Sequence, residues 1–405
     1  MSAAIARTRS AGLVTLLIAY AAFIVLGLPD GLLGVAWPSI QRTFSVPLDA
    51  FGLLLLPGTI GYMLASTFSG RVIGRWGIAA FLLGGVAIRA LGLLGYVGAP
   101  GWALLLLANF VNGIGTGGVD SGFNTYIATN YSAGRMSWLH ACFGVGATIG
   151  PLIMTAILTS GRDWQTGYLI VAALQGLIAL LVLGVFNRWQ IPGNGDSAEA
   201  HGGAVPARAT LAIPAVWLAI GTFFLYTGME ITGGNWTYTL FTEGRGITPS
   251  VAGTWISLYW GSLTAGRILS GLIVGRLGEV RLLRWSMIGA AIGAALLIVR
   301  GAAAINLTGL MLTGFALAAI FPTLISITPA RFGAAHAANA IGFQIAAAGL
   351  GVALLPGLAG VLAGRAGLET IAPFLLVIGL LQWALYEIGL RYAPIHGRGE
   401  QPAPE

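Results

Sequence analysis

Gly70-Arg71-Val72-Ile73-Gly74-Arg75-Trp76-Gly77 returns 201 residues later as Gly271-Leu272-Ile273-Val274-Gly275-Arg276-Leu277-Gly278. Each copy is a glycine-punctuated, arginine-bearing stretch that closes a long apolar run. An acid set in apolar sequence recurs at nearly the same interval, Asp30 and Glu230, and Gly34 and Gly234 keep the register 200 apart. A duplicated hydrophobic chain with a carboxylate in each half implies two related helix bundles around a polar path through a membrane.

Composition supports that reading. Of 405 residues, 57% are hydrophobic and 8% charged, and the mean hydropathy is +0.86. Soluble domains carry about 25% charged residues, so this chain lacks the material to coat a water-facing surface, and its natural partner is the lipid bilayer. The net charge of +7 comes from 20 arginines and no lysine, scattered singly between apolar runs. That scatter argues against nucleic acid and fits positively biased loops. Cys142 is alone, which excludes an internal disulfide. No nucleophile–base set or metal cluster is legible, so neither an enzyme nor a bound cofactor is expected. The opening Arg7-x-Arg9 and the apolar run from Gly12 have the shape of a signal peptide. The run outlasts an h-region and more spans follow, so a retained first helix is expected.

A spanning helix needs about 20 apolar residues. Cutting at charged and turn-rich breaks gives twelve spans, near 12–36, 48–69, 78–98, 102–126, 136–159, 165–187, 212–240, 250–274, 282–299, 303–328, 337–363 and 369–391. The longest polar break, with Pro192, Gly193, Asp196, Glu199 and His201, divides them six and six. The expected organisation is a six-helix bundle over 1–187, a linker over 188–211, a second bundle over 212–392 and a tail over 393–405. No segment shows the alternation of a membrane barrel, so the fold class is all-α. With the N-terminus inside, inner segments hold thirteen arginines and outer loops five. That bias places both termini and the linker in the cytoplasm, and the chain in a cell membrane.

Three acids carry the chemistry. Asp30 lies in Gly27-Leu28-Pro29-Asp30-Gly31 of span 1, where Pro29 removes a backbone donor and loosens the helix beside it. A carboxylate at membrane depth costs about 2.5–3.5 kcal/mol even on the lenient insertion scale, so it is kept for a reason. Asp120 lies in the glycine-rich span 4, with Asn124 four residues on and on the same helix face. Asn109 and Asn112 add amides along that helix, and groups this dense are expected to face a wet cavity. Glu230 lies in Tyr226-Thr227-Gly228-Met229-Glu230-Ile231-Thr232-Gly233-Gly234-Asn235-Trp236 of span 7, where Asn235 and Trp236 offer an amide and an aromatic face to an amphipathic solute. Asp30 is expected outward of the membrane midpoint and Asp120 inward, so they would act in series and not share a proton.

Further candidates for solute contact are His140 in span 5, Thr323 beside the Phe321-Pro322 break in span 10, and Gln344 in span 11. The small residues Gly70, Gly74, Gly271 and Gly275 are expected to let helices approach closely, with Arg71, Arg75 and Arg276 at the inner interface. Other residues read as structural. Arg267 is expected to snorkel from the inner end of span 8, and Glu387 to pair with Arg391 one turn away. Trp255, Tyr259 and Trp260 read as lipid-facing or interfacial aromatics. Arg89 is a charge near mid-depth whose partner the sequence does not name.

The glycine–arginine motif, placed after the second span of each half, resembles the loop signature of the major facilitator superfamily. It departs from that signature where the family's usual acid falls at Gly74 and Gly275 and its next basic residues at Ile78 and Ala79. Within that superfamily the chain resembles the fucose permeases and their relatives among sodium-dependent glucose transporters. Asp30, the Asp120/Asn124 pair, Leu139-His140-x-x-Phe143-Gly144-x-Gly146-x-x-x-Gly150-Pro151, Tyr226-x-Gly228-x-Glu230 and Phe321-Pro322-Thr323 carry the likeness. The resemblance implies a monomeric alternating-access transporter with a central site. Asp30 and Asp120 would couple protons and His140 would face a sugar. The expected function is proton-coupled movement of a small polar solute, a monosaccharide first, with sodium as the alternative coupling ion. Gly146-x-x-x-Gly150-Pro151 also partly resembles an antiporter signature, so a drug or metabolite exporter is the rival reading.

Overall fold

The computed structural model describes residues 2–191 and 205–393, apart from the side chains of 2–11 and 133. Pro192, Gly193, Asp196, Glu199 and His201, and the tail beyond 393, lie outside the described residues. The helices are α1 (Ser2–Phe44), α2 (Ala50–Gly98), α3 (Trp102–Asn130), α4 (Ala133–Thr159), α5 (Gln165–Gly184), a short α6 (Ala207–Leu211), α7 (Pro214–Thr239), α8 (Pro249–Leu277), α9 (Glu279–Ile298), α10 (Ala303–Leu317), α11 (Ile320–Phe332), α12 (Ala334–Ala366) and α13 (Ile371–Tyr392).

Two of these boundaries conceal the pass count. α2 is interrupted at Gly77, whose φ of 81° and ψ of 160° turn the chain into a second arm. Gly278, the last glycine of the repeated motif, ends α8 in the same conformation, with φ 76° and ψ 151°. A side chain there would meet the left-handed region that glycine alone enters freely. α10 and α11 form one pass, broken at 318–319 because Pro322 cannot donate to the Ala318 carbonyl. Counting the arms of α2 separately gives twelve passes, six before α6 and six after it.

Glycine sets how tightly the passes cross. On α3, a Cβ at Gly113 or Gly117 would strike the backbone of the first arm of α2, at Gly58 and Tyr62. A Cβ at Gly115 would strike Arg89 on the second arm. The glycine-rich span is thus a close-packing wedge between the two arms, the arrangement expected where lipid supplies no hydrophobic drive between helices. Gly146 and Gly150 of α4 seat against the Ile24 and Leu28 carbonyls of α1. The stretch that partly resembles an antiporter signature therefore has a packing role here.

The halves meet along one seam. Gly52 of α2 abuts Gly357 of α12, Gly34 of α1 lies on the backbone of Asn235, and Gly360 lies on Asp49. Ser257 Oγ donates to the Thr148 carbonyl at 2.6 Å, joining α8 to α4. Trp236 is fully buried, donates through Nε1 to the Pro356 carbonyl at 2.9 Å, and meets Phe51 edge-on at 5.3 Å. All these contacts lie toward the α1–α2 and α7–α8 turns, the closed end. At the opposite end Gly70, Gly74, Gly271 and Gly275 have no neighbour within 4 Å of a would-be Cβ, and Arg71, Arg75 and Arg276 are exposed. The close approach expected at the repeated motif is not made here, because the bundles splay apart at that end.

Replacing Gly52 or Gly357 by Leu should therefore hold the closed end apart. In a Cys142-free protein spin-labelled at Thr43 and Thr248, the interlabel distance should lengthen. An unchanged distribution would mean the seam does not depend on these glycines.

Candidate functional site

In the first bundle the site begins with α1. Its apolar stretch runs Gly12–Phe44, longer than the expected span, so Asp30 falls near its middle. Asp30 is accessible to solvent although helices surround it, as is His140 on α4. Both therefore face open space between the helices. Asp120 is half-buried and held on both sides: Tyr62 Oη donates to Oδ2 at 2.8 Å, and Asn124 Nδ2 donates to Oδ1 at 2.9 Å. His140 stands within electrostatic range of Asp120, its ring edge-on to Phe23 at 5.8 Å. Asp30 stands within electrostatic range of both Asp120 and Glu230.

The second bundle presents a neutralised acid. Glu230 is buried, and its carboxylate accepts a hydrogen bond from Tyr226 Oη, one turn earlier on the same face. Arg267 of α8 approaches Glu230 Oε1 at 3.4 Å, with about a third of its own side chain open (32%). Tyr259 Oη donates to the Glu230 carbonyl at 2.8 Å. Arg267 is thus the partner of Glu230 and does not snorkel. Trp255, Tyr259 and Trp260 are buried behind the acid and do not face lipid. The small Gly233-Gly234 pair lets Tyr259 and Trp260 pack onto α7, and Trp255 meets Phe241 edge-on at 5.1 Å.

The sequence model of the Major Facilitator Superfamily matches residues 19–218 and again 218–402, nearly the whole chain. The chain belongs to that superfamily. This facilitator is 29% identical over 361 residues to an uncharacterized MFS-type transporter of Yersinia pestis, covering 87% of each chain. It is 26% identical to the 3-(3-hydroxy-phenyl)propionate transporter of Escherichia coli, covering 89% of this chain and 91% of that one. It is 24% identical to the mouse sodium-dependent glucose transporter 1A, over 85% and 89%. Among solved structures it resembles that of a variant of the nucleoside transporter NupG, with a TM-score of 0.77, 14% identity and coverage of 94% and 99%. It is therefore a multi-pass membrane transporter and not an enzyme.

Several candidate residues of the facilitator sit elsewhere than expected. Asn109 is buried and donates to the Leu54 carbonyl, three residues before Pro57, where the α2 ladder is weakened. Asn112 lies against Gly92 with its Oδ1 buried. Asn109 ties α3 to the first arm of α2, Asn112 packs against the second, and only Asn124 of the three reaches the acid. Asn235 and Trp236 belong to the closed seam, so they do not face the cavity in this conformation. Gln344 is buried and accepts from Thr328 Oγ1 at 3.1 Å, and Thr323 is buried on α11. Glu387 pairs with Arg284 of α9 at 2.6 Å in place of Arg391, since a neighbouring helix offers a two-pronged partner. Tyr62, Tyr226 and Arg267 were not singled out as site residues. Tyr226, four residues before Glu230, had a readable signal, whereas Tyr62 and Arg267 depend on which helices meet.

A cavity of about 780 Å³ lies away from the three acids. It lies at the closed end and is lined by Arg42, Arg162, Asp163, Trp164, Tyr238 and Glu243. Arg42 and Glu243 face each other across it at 3.8 Å, one from each bundle.

Glu230→Gln should lower unfolding stability in detergent by about 1–3 kcal/mol, below the range for a fully buried pair because Arg267 is partly open. Glu230→Gln combined with Arg267→Met should recover part of that loss, because no lone charge remains. Additive losses in thermal melts would contradict the pairing.

Proposed function

We propose that this facilitator is a proton-coupled symporter of a small polar solute, working by alternating access between bundles 1–187 and 212–392. The observation that carries the reading is Asp30: a carboxylate near the middle of a spanning helix, reached by solvent, with no ion-pair partner among the described residues. A lone carboxylate resists occlusion because desolvating its charge is costly, and a proton removes that cost. Asp120, clasped by Tyr62 and Asn124, is the second proton-coupling acid. Glu230 couples protons only when Arg267 moves away. With the arginine bias placing both termini in the cytoplasm of an inner membrane, the splayed end faces inward, where solute leaves. The repeated glycines at Gly70, Gly74, Gly271 and Gly275 would then close on each other in the opposite state, with Arg71, Arg75 and Arg276 at the rim.

A monosaccharide is the first solute class. The hydroxyls and amides of Tyr62 and Asn124, with the imidazole of His140, suit sugar hydroxyls, and the likeness to sugar transporters agrees. A hydroxylated aromatic acid is the second class, favoured by one observation. Arg267 is a partly open guanidinium held by a single long contact to Glu230, able to turn to a solute carboxylate. The relative described as a 3-(3-hydroxy-phenyl)propionate transporter supports it. A drug or metabolite exporter is the alternative, and sodium remains a control ion.

In proteoliposomes bearing an inward proton gradient, Asp30→Asn and Asp120→Asn should each abolish accumulation while sparing some solute exchange. A panel of hexoses and hydroxyphenyl acids, tested with and without sodium, separates the solute classes. Wild-type pH dependence in both variants would end the proton-coupling proposal.

A further inference from the structure

Arg89 is the least explained charge in the chain. It is 1% exposed, in the middle of the first bundle. Its Nη1 donates to the Val25 carbonyl at 3.4 Å and to Gln175 Oε1 at 3.2 Å, and its Nη2 donates to the Leu26 carbonyl at 2.8 Å. Nε is buried without an acceptor. No carboxylate lies within ion-pair distance of it among the described residues, so this buried cation rests on neutral oxygens.

The two carbonyls are placed for a reason. Val25 is four residues before Pro29, so its carbonyl is the one that proline leaves without a helical donor. Leu26 is four residues before Asp30, so its carbonyl points at the backbone of Asp30. The guanidinium therefore docks on α1 at Pro29, on the carbonyl of the residue one helical turn (about 6 Å) before Asp30. Gly115 of α3 packs against the Arg89 backbone and fixes the base of the side chain. The groups facing Asp30 from the surrounding helices are Arg89 and Tyr62 on α2, Asp120 on α3, Tyr168 on α5 and Glu230 on α7. His140 on α4 reaches α1 through Phe23, and Arg267 on α8 is engaged by Glu230. Arg89 is thus the cation on the Asp30 side that no carboxylate neutralises.

We propose that Arg89 is a positioning residue for proton coupling: it ties off the α1 backbone at Pro29 and supplies the positive charge against which Asp30 takes up and releases its proton. This rests on Asp30 being the coupling acid. Without Arg89, Asp120 would face Asp30 with no cation on that side, and Asp30 would hold its proton more tightly.

The test needs no solute. Infrared pH titration of the full-length protein in lipid, with Asp30→Asn as the subtraction spectrum, reads the Asp30 carboxyl directly. In Arg89→Met the titration midpoint should rise by about 1–3 pH units, the effect of losing a nearby opposite charge. Arg89→Lys, which keeps the charge, should stay close to wild type. Gln175→Glu, a near-isosteric change that neutralises the guanidinium from its other side, should also raise the midpoint and covers the case in which Arg89→Met does not fold. Gln175→Glu with an unmoved midpoint, or a folded Arg89→Met with one, overturns the proposal. Failure of coupling itself reads out separately, as unchanged pH-dependent uptake in Asp30→Asn.

Discussion

Charge in a low-dielectric interior has to be hydrated, paired or neutralised, and the whole site of this facilitator is organised around that constraint. Asp30, Asp120 and Glu230 meet it in three different ways. Asp30 stays open to solvent. Asp120 is held by the hydroxyl of Tyr62 and the amide of Asn124. Glu230 has an arginine and a tyrosine. The seam of glycines holds the two bundles together at one end only.

The internal repeat makes the contrast informative. Asp30 and Glu230 occupy corresponding positions in the two halves, yet only Glu230 has an ion-pair partner among the described residues. The first half places its arginine behind the helix, on the carbonyls at Pro29. The second half places its arginine beside the acid. Duplication supplied two equivalent carboxylates, and the neighbouring helix decided which one stays available to a mobile proton.

The fold was readable because its signals are local: apolar length, arginine bias and a glycine turn that recurs in register. Gly77 and Gly278 could be matched by eye, and both turn the chain with positive φ. The acids were equally legible, since a carboxylate in apolar sequence needs no neighbour to be conspicuous. Their partners were not. Asn109 and Asn112 lie on the same helix as Asp120, but sequence cannot say that α2 covers them. Arg267 looked able to snorkel because its distance from the helix end was visible and its proximity to α7 was not. Glu387 found Arg284 across a helix boundary for the same reason. Within-helix spacing is printed in the chain, and interhelix contact is created by folding.

The polar chamber at the closed end has a bearing on the resting state of the molecule. Its bundles are bridged there by Arg42 and Glu243, an open pair at 3.8 Å whose attraction bulk electrolyte weakens. The glycine contacts beneath it are apolar and indifferent to salt. The latch therefore has one component tuned by the medium and one that is not. In dilute surroundings the pair adds to the closed arrangement, and in brine the glycines, the Ser257 hydrogen bond and the Phe51–Trp236 contact hold it without the pair.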